Sequence, residues 1–152
     1  MAKTLANTAD CEEIRQRIAG LTPQSQRQWG TMSIGGMLCH LDDSYRLTLE
    51  ERKVTRVFVP LPRRMIKYLA LRTSMPWAKN MKTMREVKQG AGGTCPGTFP
   101  NDQARLLDTL TRFSTRSTLA QTQHPFFGPM SADDWLRWGY LHADHHLRQF
   151  SA

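Results

Sequence analysis

The chain has 152 residues, 39% hydrophobic and 22% charged, enough for one hydrophobic core, so residues 1–152 are read as a single domain. This composition excludes a disordered chain, a collagen-like fibre and a disulfide-stapled miniprotein, and no apolar run approaches the ~20 residues of a membrane span. The formal net charge of +8 is unevenly placed: Arg52 to Lys88 holds eleven basic residues and one acid, Glu86, a local +10 that leaves −2 for the remainder.

The first eight residues lack the hydrophobic stretch of a secretory signal. Ala9 to Ala19 then reads as a first helix, with Asp10 as its cap, Ile14 and Ile18 on one face, and Gly20 and Pro23 as its stop. A further turn of helix is expected around Pro23 to Gln28. Ser33 is the natural N-cap of a second helix running to about Glu51. Advancing ~100° per residue puts Met37, Leu38, Leu41, Tyr45 and Thr48 on one arc and Cys39, Asp42, Arg46 and Glu50 opposite. Val54 to Val59 suggests a short extended piece, and Pro62 opens a third helix through Arg72. Gln89 to Asn101, rich in glycine and proline, reads as a long loop. A fourth helix follows from about Asp102 to Ala120, carrying Leu106, Leu110, Phe113 and Ser117 at helical spacing. His124 to Pro129 reads as an ordered loop. Ser131 and Asp134 form a capping-box start for a last helix reaching Phe150. Four substantial helices with little strand signal argue for an all-α bundle. The odd cysteine count (Cys11, Cys39, Cys95), without C-x-x-C spacing, suits a reducing, cytoplasmic setting.

In a bundle, sites are built from polar residues on inward faces. On the last helix His142 and His146 share the buried arc with Trp135, His145 lies at its margin, and Asp144, Arg137 and Arg148 face away as surface or subunit-contact residues. The i, i+4 spacing sets the two side chains about 5–6 Å apart at Cβ, close enough to share one divalent cation. A hydrogen bond to a neighbour would satisfy the same buried rings and is the alternative. His40 of the second helix lies at the edge of its inward arc. It is the natural third ligand of an open, three-nitrogen site. Gln149 and Ser44 are candidates to orient these imidazoles. Trp135 and Trp138 are either core or pocket wall. His124 is a weaker candidate for an acid/base group over the metal. Cys39 points away from His40, so it is not expected to be a ligand.

The segment Met37-Leu38-Cys39-His40-Leu41-Asp42-Asp43-Ser44, with His142-Ala143-Asp144-His145-His146-Leu147-Arg148-Gln149 a hundred residues on, resembles the DinB-like (DinB/YfiT-like) metalloenzyme family. The closest resemblance is to a subfamily ending in H-x-D-H-H-L-R-Q-F, preceded by H-P-x-F-G-x-M-S; His124 to Ser131 and Trp135 match that pattern. The resemblance implies a four-helix bundle with a long crossover between helices two and three. It implies a divalent metal, zinc or nickel, on His40, His142 and His146. In some relatives it also implies a low-molecular-weight thiol cofactor.

The functional expectation is a divalent-metal-dependent enzyme, either a hydrolase or a thiol-dependent S-transferase, acting on a small molecule. The alternative is a non-catalytic metal-binding stress-response or macromolecule-binding bundle with a basic surface, or a homodimer of bundles whose metal site is vestigial. The basic segment could attract an anionic substrate or the carboxylates of a thiol cofactor. No RNA-binding consensus runs through its aromatics, so nucleic acid is not an expected partner. Walker, dinucleotide and Ser-His-Asp signatures are not visible.

Overall fold

Asn7 begins the helical part of the chain. Its side chain accepts hydrogen bonds from the backbone N–H groups of Ala9 and Asp10, capping α1 (Thr8–Ala19). The computed structural model describes residues 2–53, 55, 58–73, 75–115, 119 and 123–152. Among these, α1 is followed by α2 (Ile34–Thr48), α3 (Arg63–Arg72), a 3-10 turn (Arg85–Val87), α4 (Phe99–Ser114) and α5 (Ala132–Gln149). Two-residue strands β1 (Gln123–His124) and β2 (Gly128–Pro129) pair antiparallel, with His124 opposite Gly128. The chain is therefore mainly helical.

Several boundaries differ from the sequence reading, each for a local reason. Asp10 does not cap α1; its carboxylate instead accepts from the Thr4 N–H at 2.9 Å. Pro23 to Gln28 forms a turn and extended chain, not a helix. The second helix stops at Thr48 because the backbone reverses at Glu50, whose φ is 60°. α4 starts inside the expected loop: Pro100, lacking only an N–H that a first turn does not use, is tolerated at the helix start. α4 ends at Ser114 with Thr115 as its C-cap and Leu119 is not helical, so the expected run to Ala120 is cut short; residues 116–118 and 120, like 54, 56 and 57 of the expected extended piece, lie outside the described residues. Phe58 and Val59 are not in a strand.

α2 packs against α4 and α5, and α1 against α4 and α5, around a core that includes Ile14, Ile18, Leu38, Leu41, Leu110 and Phe113. Tyr45 sits within it, 4.5 Å from the Phe113 ring, and its hydroxyl donates to the Gly139 carbonyl at 3.0 Å. Gly139 permits this approach, since a Cβ there would collide with Phe113. The capping box at Ser131 and Asp134 is present as read. Asp134 also binds Lys67 at 3.1 Å and Arg72 at 2.6 Å, tying α3 to the start of α5. Burial would raise the Asp134 pKa, but the Ser131 N–H and these two cations hold it below its ordinary value.

The outward arc assigned to α2 is the main correction. Cys39 and Asp42 are fully buried beneath α4. Asp42 accepts from Thr109 Oγ1 at 2.6 Å and Arg105 Nε at 3.1 Å, and Arg105 also reaches Asp102 at 2.9 Å. A buried carboxylate so paired avoids most of the cost of burial. The wheel missed this because α2 is covered on two sides. Asp144 is likewise bound within the chain, to Arg17 of α1 at 2.9 Å. No helix among the described residues is long and apolar enough to cross a membrane.

Candidate metal centre

His40 and the pair on α5 come together at the α2–α5 seam. Ligand nitrogens of His40, His142 and His146 lie within 4.8 Å of one another, a group that could hold a metal ion. His40 and His142 share a hydrogen bond, Nε2 to Nε2 at 3.2 Å. The inward arc on α5 thus delivers both of its histidines, and His40, at the edge of its own arc, is buried at 6% exposure.

Two of the rings are oriented by hydrogen bonds at their far nitrogens. His40 Nδ1 donates to the Val87 carbonyl at 3.0 Å, which leaves Nε2 with its lone pair facing the cluster. Gln149 Oε1 accepts from His146 Nδ1 at 3.0 Å, and its amide nitrogen donates to the Trp29 carbonyl at 2.9 Å. Gln149 therefore plays the orienting part expected of it. Ser44 does not: its hydroxyl donates to the His40 backbone carbonyl at 2.7 Å, not to the ring. His142 Nδ1 is buried without a partner.

Val87 carries no side-chain signal for this role; a chain of polar contacts places its carbonyl. Asp43, next to the expected outward arc, accepts from Thr94 N–H and Oγ1, each at 2.7 Å, and forms an ion pair with Arg52 Nε at 3.1 Å. Arg52 in turn donates to the Glu86 carbonyl at 2.7 Å. The doubled acid Asp42-Asp43 after His40 was the legible trace of this brace, though only the fold shows that the two acids serve different neighbours.

Burial lowers the pKa of all three imidazoles, well below the ordinary value for His142 and His146; the neighbouring rings add to the effect at those two. They are neutral at pH 7, the form in which nitrogen ligates a metal. His145 is half-buried beside Trp29 and Trp77, at ring distances of 5.9 and 6.2 Å, the edge position expected. Cys39 contacts Arg105 and is not in the group; burial pushes its thiol up to about 11.

The histidines lie at a pocket of about 820 Å³, within the roughly 300–1,000 Å³ of small-molecule sites. Trp138 is a wall, 4.8 Å from the His142 ring, whereas Trp135 is core. Trp77 carries no site signal in the sequence. It stands 6.0 Å from the His142 ring, fixed by a hydrogen bond from its Nε1 to the Ala70 carbonyl at 3.0 Å. Trp29, on the far side, was also missed. His124 lines the pocket but is outside the ligand group. Its Nδ1 accepts the Phe126 and Phe127 N–H groups at 3.1 and 3.3 Å, so its proton is on Nε2. Burial, helped by Arg63, lowers its pKa to about 3. His124 is thus a neutral imidazole of fixed tautomer on the pocket wall.

A family model described as "Protein of unknown function (DUF1569)" matches residues 3–152. The chain belongs to the DUF1569 family. No curated protein and no solved structure matches it. The matched residues include all five histidines, both histidine-bearing helices and the pocket between them.

Proposed function

We propose that this DUF1569 protein is a divalent-metal-dependent enzyme of the DinB-like kind, a hydrolase or a thiol-dependent S-transferase, with His40, His142 and His146 as ligands of zinc or nickel. The observation that carries the reading is the convergence of three neutral imidazoles whose outer nitrogens are tied back at His40 and His146. The donor set fits: His40 Nε2 carries a lone pair and faces His142 Nε2 at 3.2 Å, and a cation shared between the rings satisfies both. Three nitrogen ligands leave a position open, the hallmark of catalytic sites. A divalent metal held there would supply Lewis-acid chemistry, lowering the pKa of water or a thiol and polarising an electrophile.

The chain's own residues do the rest. Val87 and Gln149 hold the imidazole orientations. Trp77 and Trp138 exclude water beside His142 and shape the pocket. His124 offers a fixed Nε2–H on the wall. The DinB-type bundle, with residues 49–98 as the crossover between the second and third long helices, is part of the same proposal. It is supported by the packing of α1, α2, α4 and α5 on one another.

The test is metal uptake. The purified chain, stripped with chelator and titrated with zinc or nickel in a calorimeter, should bind one equivalent, and His146→Ala should abolish this. A wild-type protein that takes up neither ion would overturn the reading.

A further inference from the structure

None of the residues lining the histidine pocket is an aspartate or glutamate. Its ionisable lining groups are the five histidines and two lysines, Lys82 and Lys88. The histidines are buried or half-buried and both lysines are exposed, so the imidazoles form the floor and the ammonium groups stand at the rim. Neither lysine ion-pairs with an acid among the described residues. Elsewhere in the molecule acids and bases are matched closely, as at Asp42, Asp43 and Asp134. An acid-free cavity with two free cations at its mouth favours a bound anion.

Between floor and rim the wall is apolar: Ile66, Met84, Phe126, Phe127, Trp77 and Trp138. The apolar surface continues outward. Leu61, Leu69, Met75 and Met81 line the pocket and are 51%, 37%, 60% and 63% exposed. Large exposed apolar side chains gathered around an opening mark a binding groove more often than chance surface. A thin, strongly polar molecule would leave these walls unsatisfied.

We infer that the pocket takes an amphiphilic anion, an extended apolar body lying along the aromatic and methionine wall, its negative end at Lys82 and Lys88 and its other end at the imidazoles. This names the substrate class of the proposed enzyme and rests on that reading for events at the floor; the wall and the rim are independent of it. The charge argument is simple. The pocket lining holds no carboxylate to offset the two ammonium groups at its rim, so the ligand supplies the anion there.

The probes are decanoate, decylamine and acetate, below their micellar concentrations, added to the full chain with metal chelated and again with zinc. Fluorescence of Trp29, Trp77 and Trp138, which all line the pocket, reports binding. Decanoate should bind at least ~10-fold more tightly than decylamine, from the sign of the rim charge. Acetate, lacking the apolar body, should not bind measurably. The double variant Lys82→Glu, Lys88→Glu changes two exposed side chains and leaves folding intact; it should erase or reverse the preference for decanoate. Equal binding of decanoate and decylamine, no decanoate binding, or an unaltered preference in the double variant would each overturn the inference. Zinc titration of the same samples separates the two readings. Zinc uptake without decanoate binding sinks the ligand class alone. Decanoate binding without zinc uptake supports the ligand class and sinks the metal reading.

Discussion

α2 has two buried seams, and they solve the problem of polar burial in opposite ways. Against α4, Asp42 is fully buried and neutralised by Arg105 and Thr109. Against α5, His40 is buried among other histidines, and no acid among the described residues hydrogen-bonds its ring. The first seam is closed: its charges have partners, and replacing one leaves another stranded. The second is held differently: Val87 and Gln149 orient two of the imidazoles, and His142 Nε2 donates to His40 Nε2 at 3.2 Å. One seam pairs its buried charge with cations and hydroxyls; the other gathers neutral imidazoles beside a pocket, where they could hold a metal ion.

The widest separation of the two seams should come from acid. Folded-state burial depresses the pKa of His40, His142, His146 and His124 below the ordinary 6.5. Below that value the unfolded chain binds protons that the folded chain does not, so this contribution to stability is complete above pH 6.5 and falls as pH drops, for His124 down to about 3. The metal-free protein should lose stability as pH falls below 6.5, with His124 alone contributing up to about 1.4 kcal/mol per pH unit. Urea titrations at pH 7.5, 6 and 5 measure this. Flat stability over that range would mean that the histidine seam is wetter than its burial indicates.

Mutation sharpens the contrast. Asp42→Ala strands Arg105 and Thr109 and should cost about 3 kcal/mol in chemical denaturation, discounted for the partial exposure of Arg105. His142→Leu removes a buried Nδ1 that has no partner but also the Nε2 hydrogen bond to His40, and should cost the metal-free protein only about 1 kcal/mol. Equal losses would erase the distinction between a structural and a functional seam.

Gln149→Met probes the support of the histidine seam with less disturbance. It removes the acceptor that turns His146 and the donor to Trp29. Zinc affinity should fall about 10–100-fold, with one equivalent still bound. Unchanged affinity would assign Gln149 to packing against the Trp29 segment alone.

The smallest effect is expected at Ser33, whose hydroxyl accepts the Gly36 N–H at 3.0 Å and starts the helix that both seams share. Ser33→Ala should cost about 1 kcal/mol with zinc affinity nearly unchanged. A large drop in affinity would show that His40 depends on the register of the first turn.

Much of this architecture is local and was legible without coordinates. Ser33, Ser131 and Asp134 announce helix starts because caps are short-range hydrogen bonds. His142 and His146 fall on one face because helix period alone decides it. The Gln149–His146 contact was legible for the same reason, lying three residues apart. Asp10 shows the limit of such reasoning, since Asn7, three positions earlier, won the cap.

The amino-acid sequence by itself therefore determined a mainly helical chain and the histidine pair on α5, because periodicity, caps and charge are properties of neighbours along the chain. Tertiary structure alone decided that α2 is buried on two sides. It also decided that Val87 orients His40 through a carbonyl that no side chain advertises, and that Trp29 and Trp77 close the pocket. Those contacts join residues tens of positions apart, and their partners are chosen by packing, which no local pattern encodes.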